Sequence, residues 1–252
     1  MLYQDAEDKG FPNKDGLAHL LGMPAAFDFV ATLVTPAVDT NWKDPQGERG
    51  FSFFIDQPTT MLPYSDHTKL WGNMKNNLVG DVYDFMMLLA RTQGIELDTK
   101  KLLKDAQDIA EFDHRLALEY STDSDTRRQF ERSFNPMTLK QLYVRFPNIC
   151  WTRFTTKVMA ASKRVQETII NDTNYNYIVM EPAKIFKLLS SLGDPSFVSA
   201  RTLVNYVYFN LASAYTEFLP WGWEGRLKRR IKIERPITRI PRPRSIWQGK
   251  VN

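Results

Sequence analysis

Cysteine and long apolar runs are what this sequence has least of. Cys150 is the only cysteine among 252 residues, which excludes an internal disulfide and a cysteine-based zinc cage. Its neighbours Ile149 and Trp151 are apolar, so we expect a buried, unreactive thiol. No stretch approaches roughly 18 uninterrupted apolar residues, so we expect no membrane span. The polar, acidic N-terminus does not resemble a secretory signal, and no localisation follows from the sequence.

Histidine is also scarce, and this limits the metal and hydrolytic chemistry that the chain can offer. The three histidines are His19, His67 and His114, and none begins the His-Glu-x-x-His motif that catalytic zinc needs. Glu111 and His114 have the spacing of di-metal carboxylate bundles, but no second Glu-x-x-His exists. We therefore interpret the segment around them as a solvated, charged helix face. No Gly-x-Ser-x-Gly elbow or glycine-rich phosphate loop is present. The sequence assigns no catalytic, cofactor-binding or metal-binding residue.

The basic charge of the chain is concentrated at one end. The formal net charge is +4, yet residues 226–252 hold ten lysines and arginines against one acidic residue, Glu234. The preceding 225 residues therefore carry a net charge of −5. Proline and arginine in this region are typical of an extended tail, which would bind nucleic acid only non-specifically. We predict a helical domain over residues 1–220 and a basic, Pro/Arg-rich tail over residues 221–252, with no nucleic-acid partner.

Two smaller features concern the surface of the predicted domain. Arg127 and Arg128 could hold an anionic group, but we interpret them as partners in surface salt bridges. Asn171-Asp-Thr173 is a glycosylation sequon, which matters only if the chain enters the secretory pathway.

The β-formers of the chain are concentrated in one short run. Residues 51–55 predict a strand that ends at Asp56, and the turn-rich residues 39–50 predict a hairpin-like entry into it. Pro58 and Pro63 then exclude a continuous helix or a central strand. Residues 25–35 fit a helix or a strand, and their apolar spacing favours a helical face.

Helical periodicity dominates the remainder. It predicts helices from Asn76 to a stop at Gly94, from an N-cap at Asp98, and from Trp151 onwards. A capping-box spacing predicts one further helix start, and Pro182 predicts another as a first helical residue. The clearest helical periodicity covers residues 199–218. The capping box joins Thr138 and Gln141 and places a short helix start near Met137. The fold class is mainly α: a multi-helix lobe with a small β element near residues 51–55.

Several short motifs occur in an order that carries a family resemblance. They are Ile-Asp-Gln-Pro at 55–58 followed by Leu-Pro-x-x-Asp at 62–66, Asn-Pro-Met-Thr-Leu at 135–139, Trp-x-x-Phe at 151–154 and Ser-Ala-Arg-x-Leu-x-Asn-Tyr at 199–206. From about Leu21 to Phe218 the chain resembles the N-terminal, non-catalytic domain of the neprilysin-like zinc metallopeptidases, peptidase family M13. His67 stands where that family usually has tyrosine, and the family's paired cysteines and membrane anchor are absent.

The resemblance implies a function without chemistry of its own. In that family the N-terminal lobe covers the catalytic lobe and restricts peptide access to the cavity between them, and zinc belongs to the catalytic domain. We therefore expect a fragment or inactive homologue that holds no cofactor, cannot cleave peptides alone and has a catalytic lobe or peptides as partners. The alternative is a stand-alone helical module that binds peptides or a partner protein.

Overall fold

Helices make up most of the described chain. The computed structural model describes residues 12–215, except 28–29, 47–49, 129, 193 and 195. A π-helical turn at Asp66–Leu70 leads directly into the second helix. The helices are α1 (Lys14–Ala26), α2 (Trp71–Thr92), α3 (Thr99–Tyr120), α4 (Ser124–Arg127), α5 (Phe130–Ser133), α6 (Leu139–Arg145), α7 (Trp151–Val158), α8 (Lys163–Asn171), α9 (Pro182–Ser191) and α10 (Ala200–Ala214).

The helix starts are fixed by local chemistry, as the sequence predicts. Asp98 caps α3 by accepting hydrogen bonds from the backbone N–H groups of the first turn. Thr138 and Gln141 form the predicted capping box at the start of α6. Pro182 is the first residue of α9, and Ser199 caps α10. Gly94, with φ of +65°, follows the end of α2 in the left-handed conformation that glycine favours. These predictions are confirmed.

Four short strands form one mixed sheet. They are β1 (Thr35–Thr40), β2 (Phe51–Asp56), β3 (Asn135–Thr138) and β4 (Asn176–Val179), in the order β1-β2-β4-β3. β1 pairs antiparallel with β2, which confirms the predicted hairpin-like entry. β2 lies parallel to β4 with Ile55 opposite Val179, and β3 runs antiparallel to β4. The β-former run at residues 51–55 is therefore an inner strand of the sheet.

A single apolar core fills the space between the sheet and the helices. Helix α3 contacts α2, α9 and α10, and α1 packs on α7. Gly22 allows α1 to approach α7 closely, because an added Cβ would lie 2.8 Å from Cβ of Lys157 and 3.0 Å from the carbonyl oxygen of Phe154. The largest fully buried side chains include Trp151, Tyr177, Tyr206, Phe53, Phe85, Phe146 and Phe154.

A buried ion pair joins α10 to α3. Nε of Arg201 donates to Oδ1 of Asp105 at 2.6 Å, and Nη2 donates to Oδ2 at 2.5 Å. The two side chains are only 10% and 9% exposed. This bidentate geometry is the strong form of an arginine–carboxylate pair. Arg201, which the motif at 199–206 contains, therefore has a structural role between two helices.

Some expected boundaries are wrong, each for a physical reason. Residues 25–35 are not one helix: α1 ends at Ala26, and the chain is extended from Thr35, where it pairs with β2. Helix α2 begins at Trp71 rather than Asn76, because the π-helical turn already starts the helical path. No strand was expected at residues 135–138, which form β3 because they pair with β4.

Two further helix predictions need adjustment. The helical pattern after Trp151 is two helices, because Ser162 caps a new helix, α8, after α7 has ended. The predicted helix at 199–218 is confirmed as α10, whereas residues 216–218 and the predicted tail lie outside the described residues. No helix in the described part of the chain is both long and apolar enough to cross a membrane.

Candidate functional site at the strand break

The connection between β2 and α2 is irregular yet largely buried. Gln57, Met61 and Leu62 are buried in it, and its prolines at 58 and 63 prevent regular backbone pairing. Buried backbone amides in such a segment need partners from elsewhere in the fold. Asp113 of α3 accepts from the N–H of Met61, and the carbonyl of Thr32 accepts from the N–H of Thr59. The connection is therefore held by groups from distant parts of the chain.

Asp113 is the central acceptor of this region. Its side chain on α3 is fully buried, and the backbone N–H of Met61 donates to both carboxylate oxygens at 3.0 and 3.1 Å. The Tyr206 hydroxyl, on α10, donates to Oδ1 at 2.8 Å. Burial, and then the neighbouring Asp113 carboxylate, raises the pKa of Tyr206 well above its usual value of 10. The phenol therefore stays protonated and remains a donor.

Two histidines and a tryptophan lie beside Asp113. Nδ1 of His67, in the π-helical turn, is 3.3 Å from Nδ1 of His114 on α3. The Trp71 indole stacks on His114, with 4.0 Å between ring centroids and 3° between planes. Nε2 of His67 lies 3.3 Å from Oδ2 of Asp113, at an angle outside hydrogen-bond geometry. We assign the Nε2 proton to this side because a lone pair facing the carboxylate would be repelled.

This arrangement defines the tautomers of the pair. With Nε2–H of His67 facing Asp113, Nδ1 of His67 accepts and Nδ1–H of His114 donates. Burial, followed by the neighbouring His67, lowers the pKa of His114 below 6.5. His114 is therefore neutral near pH 7.

A second polar cluster lies at the carboxyl end of β2. The Gln57 amide donates to the carbonyl of Thr122 at 3.0 Å and accepts from its N–H at 2.7 Å. The Thr122 hydroxyl and Nη2 of Arg132 both donate to Oε2 of the buried Glu181, at 3.1 and 3.0 Å. These contacts connect the end of β2 to Thr122, which follows α3, and to Glu181, which precedes α9.

Asp56 ends β2 and forms an ion pair with Arg127 of α4. Burial raises the pKa of Asp56, although the Arg127 guanidinium opposes that shift. Arg127 is therefore a partly buried structural partner rather than only a surface residue. Arg128 does form the expected surface pair, with Asp125 at 3.5 Å.

The other residues considered from sequence fall in separate places. His19 lies on α1, where burial and the nearby Lys157 and Arg153 lower its pKa. Cys150 is only partly buried, with Sγ 3.5 Å from the Tyr143 hydroxyl, so the expectation of a buried thiol is wrong. Asn171 is exposed at the end of α8.

The expectation of a solvated face around Glu111 and His114 is wrong in part. Glu111 is half-exposed and binds Lys75 of α2, but Asp113 is fully buried and His114 is covered by Trp71. The burial of Asp113 has a signal in the sequence, since Asp113 lies four residues after Ile109 and three before Leu116, on the apolar stripe of α3.

The zinc chemistry of a metallopeptidase does not fit these side chains. Over the described residues, no three His, Cys, Asp or Glu side chains are placed together to hold a metal ion. A catalytic zinc site needs three protein ligands and an open position. Asp113 accepts from a backbone amide and a tyrosine hydroxyl, and Oε2 of Glu181 accepts from Thr122 and Arg132.

The family comparison and the structure comparison point to the same group of proteins. The sequence model described as peptidase family M13, its N-terminal part, matches residues 5–242. No curated protein sequence matches the chain. The cryo-EM structure of the Mycobacterium tuberculosis zinc metalloprotease Zmp1 in its open state superposes with a TM-score of 0.68 at 16% identity, covering 86% of this chain and 31% of that one. The crystal structure of the same protease in complex with an inhibitor gives 0.67 at 16% identity, covering 85% and 30%.

At 16% identity the likeness to Zmp1 shows a shared fold, and the chain spans less than a third of the length of that protease. The family match extends over nearly the whole sequence and includes the motifs at 55–66, 135–139, 151–154 and 199–206. The chain therefore belongs to peptidase family M13 and corresponds to the N-terminal domain of that family.

Proposed function

We propose that this chain acts as the non-catalytic lobe of a neprilysin-like zinc metallopeptidase and restricts which peptides reach the catalytic cavity. The observation that carries the proposal is the family match over residues 5–242 of a sequence that contains no His-Glu-x-x-His. The similarity to about 31% of the length of a zinc metalloprotease supports a part of an enzyme rather than a whole one.

The state of the buried polar groups supports a structural role. Asp113 accepts from Met61 and Tyr206, and Oε2 of Glu181 accepts from Thr122 and Arg132, so both carboxylates hydrogen-bond to groups of the fold. These carboxylates stabilise the junction after β2. We infer that the lobe contributes its shape, while zinc and the reacting groups belong to a catalytic domain.

The first test measures activity of the chain alone. Purified protein is incubated with quenched fluorescent peptides, with added Zn²⁺ and with a chelator. We expect no chelator-sensitive hydrolysis. Stoichiometric zinc together with hydrolysis that a chelator abolishes would overturn the proposal.

The second test measures the restriction of access. A neprilysin-like catalytic domain is supplied in trans, and the cleavage rates of peptides of increasing length are compared with and without this chain. We expect association by analytical ultracentrifugation and a selective loss of cleavage of the longer peptides. An unchanged length profile with no association would contradict the proposal.

The same experiment separates the alternative, a stand-alone interaction module. Exposed apolar side chains such as Val144 and Phe51 offer contact area to a peptide or protein. A stable monomer that binds peptides but not the catalytic domain would favour that module.

A further inference from the structure

The end of α8 and the turn that follows it contain the only Asn-x-Ser/Thr sequence of the chain, Asn171-Asp172-Thr173. An asparagine two residues before a serine or threonine is the acceptor of N-linked oligosaccharides, provided that the middle residue is not proline. A three-residue match also arises by chance, so its value depends on where the fold places it.

The fold places both recognised side chains of this sequence at the surface. Asn171 is the last residue of α8, and the side chains of Asn171 and Thr173 are exposed. Between them, Asp172 stabilises the turn, because its Oδ1 accepts the N–H of Asn174 at 2.9 Å. The chain returns to the interior at Tyr175, which is buried. The acceptor asparagine therefore lies outside the core, in a defined turn.

Helix α8 leaves room for a bulky group at this end. Among the residues of α8, only Ile169 is buried. Lys163 and Glu167 form an exposed ion pair along the helix at 3.7 Å. An attached oligosaccharide is large and hydrated, so it needs a surface that the rest of the fold does not cover. The outer side of α8 provides such a surface.

We propose that Asn171 receives an N-linked oligosaccharide when the chain passes through a secretory pathway. The donor is a lipid-linked oligosaccharide diphosphate, and a transferase of that pathway supplies the catalysis. Nδ2 of Asn171 forms a bond to the anomeric carbon of the first sugar, and the bond from that carbon to the diphosphate breaks. The electron pair leaves with the lipid diphosphate, and the amide nitrogen gives up one proton. The Thr173 hydroxyl completes the sequence that the transferase recognises.

The test uses the full chain behind a cleavable export signal in insect cells, isolated from the medium and from microsomes. We expect a single mobility shift on gel electrophoresis that peptide:N-glycosidase removes. That enzyme converts a modified asparagine to aspartate, so mass spectrometry should find the conversion at position 171 after treatment and not before it.

Four substitutions within the turn assign the shift to this sequence. N171Q and T173A each remove one recognised side chain and should abolish the shift. T173S keeps the hydroxyl, and N174Q changes an exposed asparagine of the same turn that is not part of the sequence, so both should keep it. Because all three positions are exposed, circular dichroism should show an unchanged fold in each variant. A full chain without the shift, or a shift that persists in N171Q, would overturn the proposal.

Discussion

The ion pair between Asp105 and Arg201 allows a direct test of how α10 is held on α3. Both side chains are almost fully buried, so neither charge recovers its hydration when the other is removed. Removing one partner of a buried pair typically costs about 3–5 kcal/mol. We therefore expect D105N and R201M each to lower the free energy of unfolding by about that amount. This is a large fraction of the roughly 5–15 kcal/mol that stabilises a typical domain.

The double variant D105L/R201M isolates the interaction itself. Replacing both charges by apolar groups of similar volume leaves no unpaired charge, so its cost should be well below the sum of the single costs. Arg201 makes further interactions besides Asp105, so R201M also loses those. The coupling energy is therefore the informative quantity, and we expect at least about 2 kcal/mol.

The measurement is urea unfolding followed by circular dichroism. With a slope near 3 kcal/mol per molar, each single substitution should lower the midpoint by about 1–2 M. D108N is the matched control on the same helix: Asp108 forms an exposed pair with Lys104 at 2.8 Å, which is worth at most about 0.5 kcal/mol. If D105N behaved like D108N, or if the double variant equalled the sum, the reasoning would be refuted.

Four further substitutions test other features of the fold. Gly22→Ala should lower the free energy of unfolding by about 1–3 kcal/mol because its Cβ meets α7. Gly80→Ala has open space and should raise it by up to about 1 kcal/mol, both read from urea midpoints. Gln57→Leu leaves the backbone of Thr122 unpaired and should cost about 2 kcal/mol or more in the same assay, whereas a neutral result would dismiss the role of that amide. The lowered pKa of His19 means that the unfolded chain binds this proton more readily, so stability falls as pH drops through 6.5. H19Q should reduce the dependence of the melting temperature on pH between pH 7.5 and 5.5. An unchanged pH dependence would contradict this role of His19.

Local features of the fold were predictable because their causes lie within a few residues. The caps at Asp98, Thr138 and Ser199 each use a side chain and a backbone N–H two or three positions later. The sheet was predictable at β2 and in part at β4, since the sequence indicates a short extended run over residues 177–180. Strands β3 and β4 have four residues each, and their pairing depends on contacts between distant segments. Such pairing leaves no periodic trace in a four-residue stretch.

The polar cluster around Asp113 was harder to predict because its polar residues come from three separate elements: the π-helical turn, α3 and α10. The position of Asp113 on the apolar stripe of α3 was a usable signal of burial. The approach of His67 to His114 had no such signal in the sequence. It depends on the π-helical turn, which shifts the helical register just before α2. The absence of a His-Glu-x-x-His motif could be read directly from the sequence.

The Ile-Asp-Gln-Pro motif is explained by the backbone that it has to satisfy. Beyond β2 the chain turns into the interior without a strand or helix to pair its amides. Oδ1 of Asp56 accepts the N–H of Gln57 at 2.7 Å, and the Gln57 side chain pairs with both backbone groups of Thr122. The Gln57 carbonyl accepts from the hydroxyl of Thr35 on β1 at 2.8 Å, and the N–H of Met61 is bound by Asp113. Each polar residue of the motif thus replaces a hydrogen bond that regular structure would have supplied, which accounts for a family motif in a segment to which no catalytic residue is assigned.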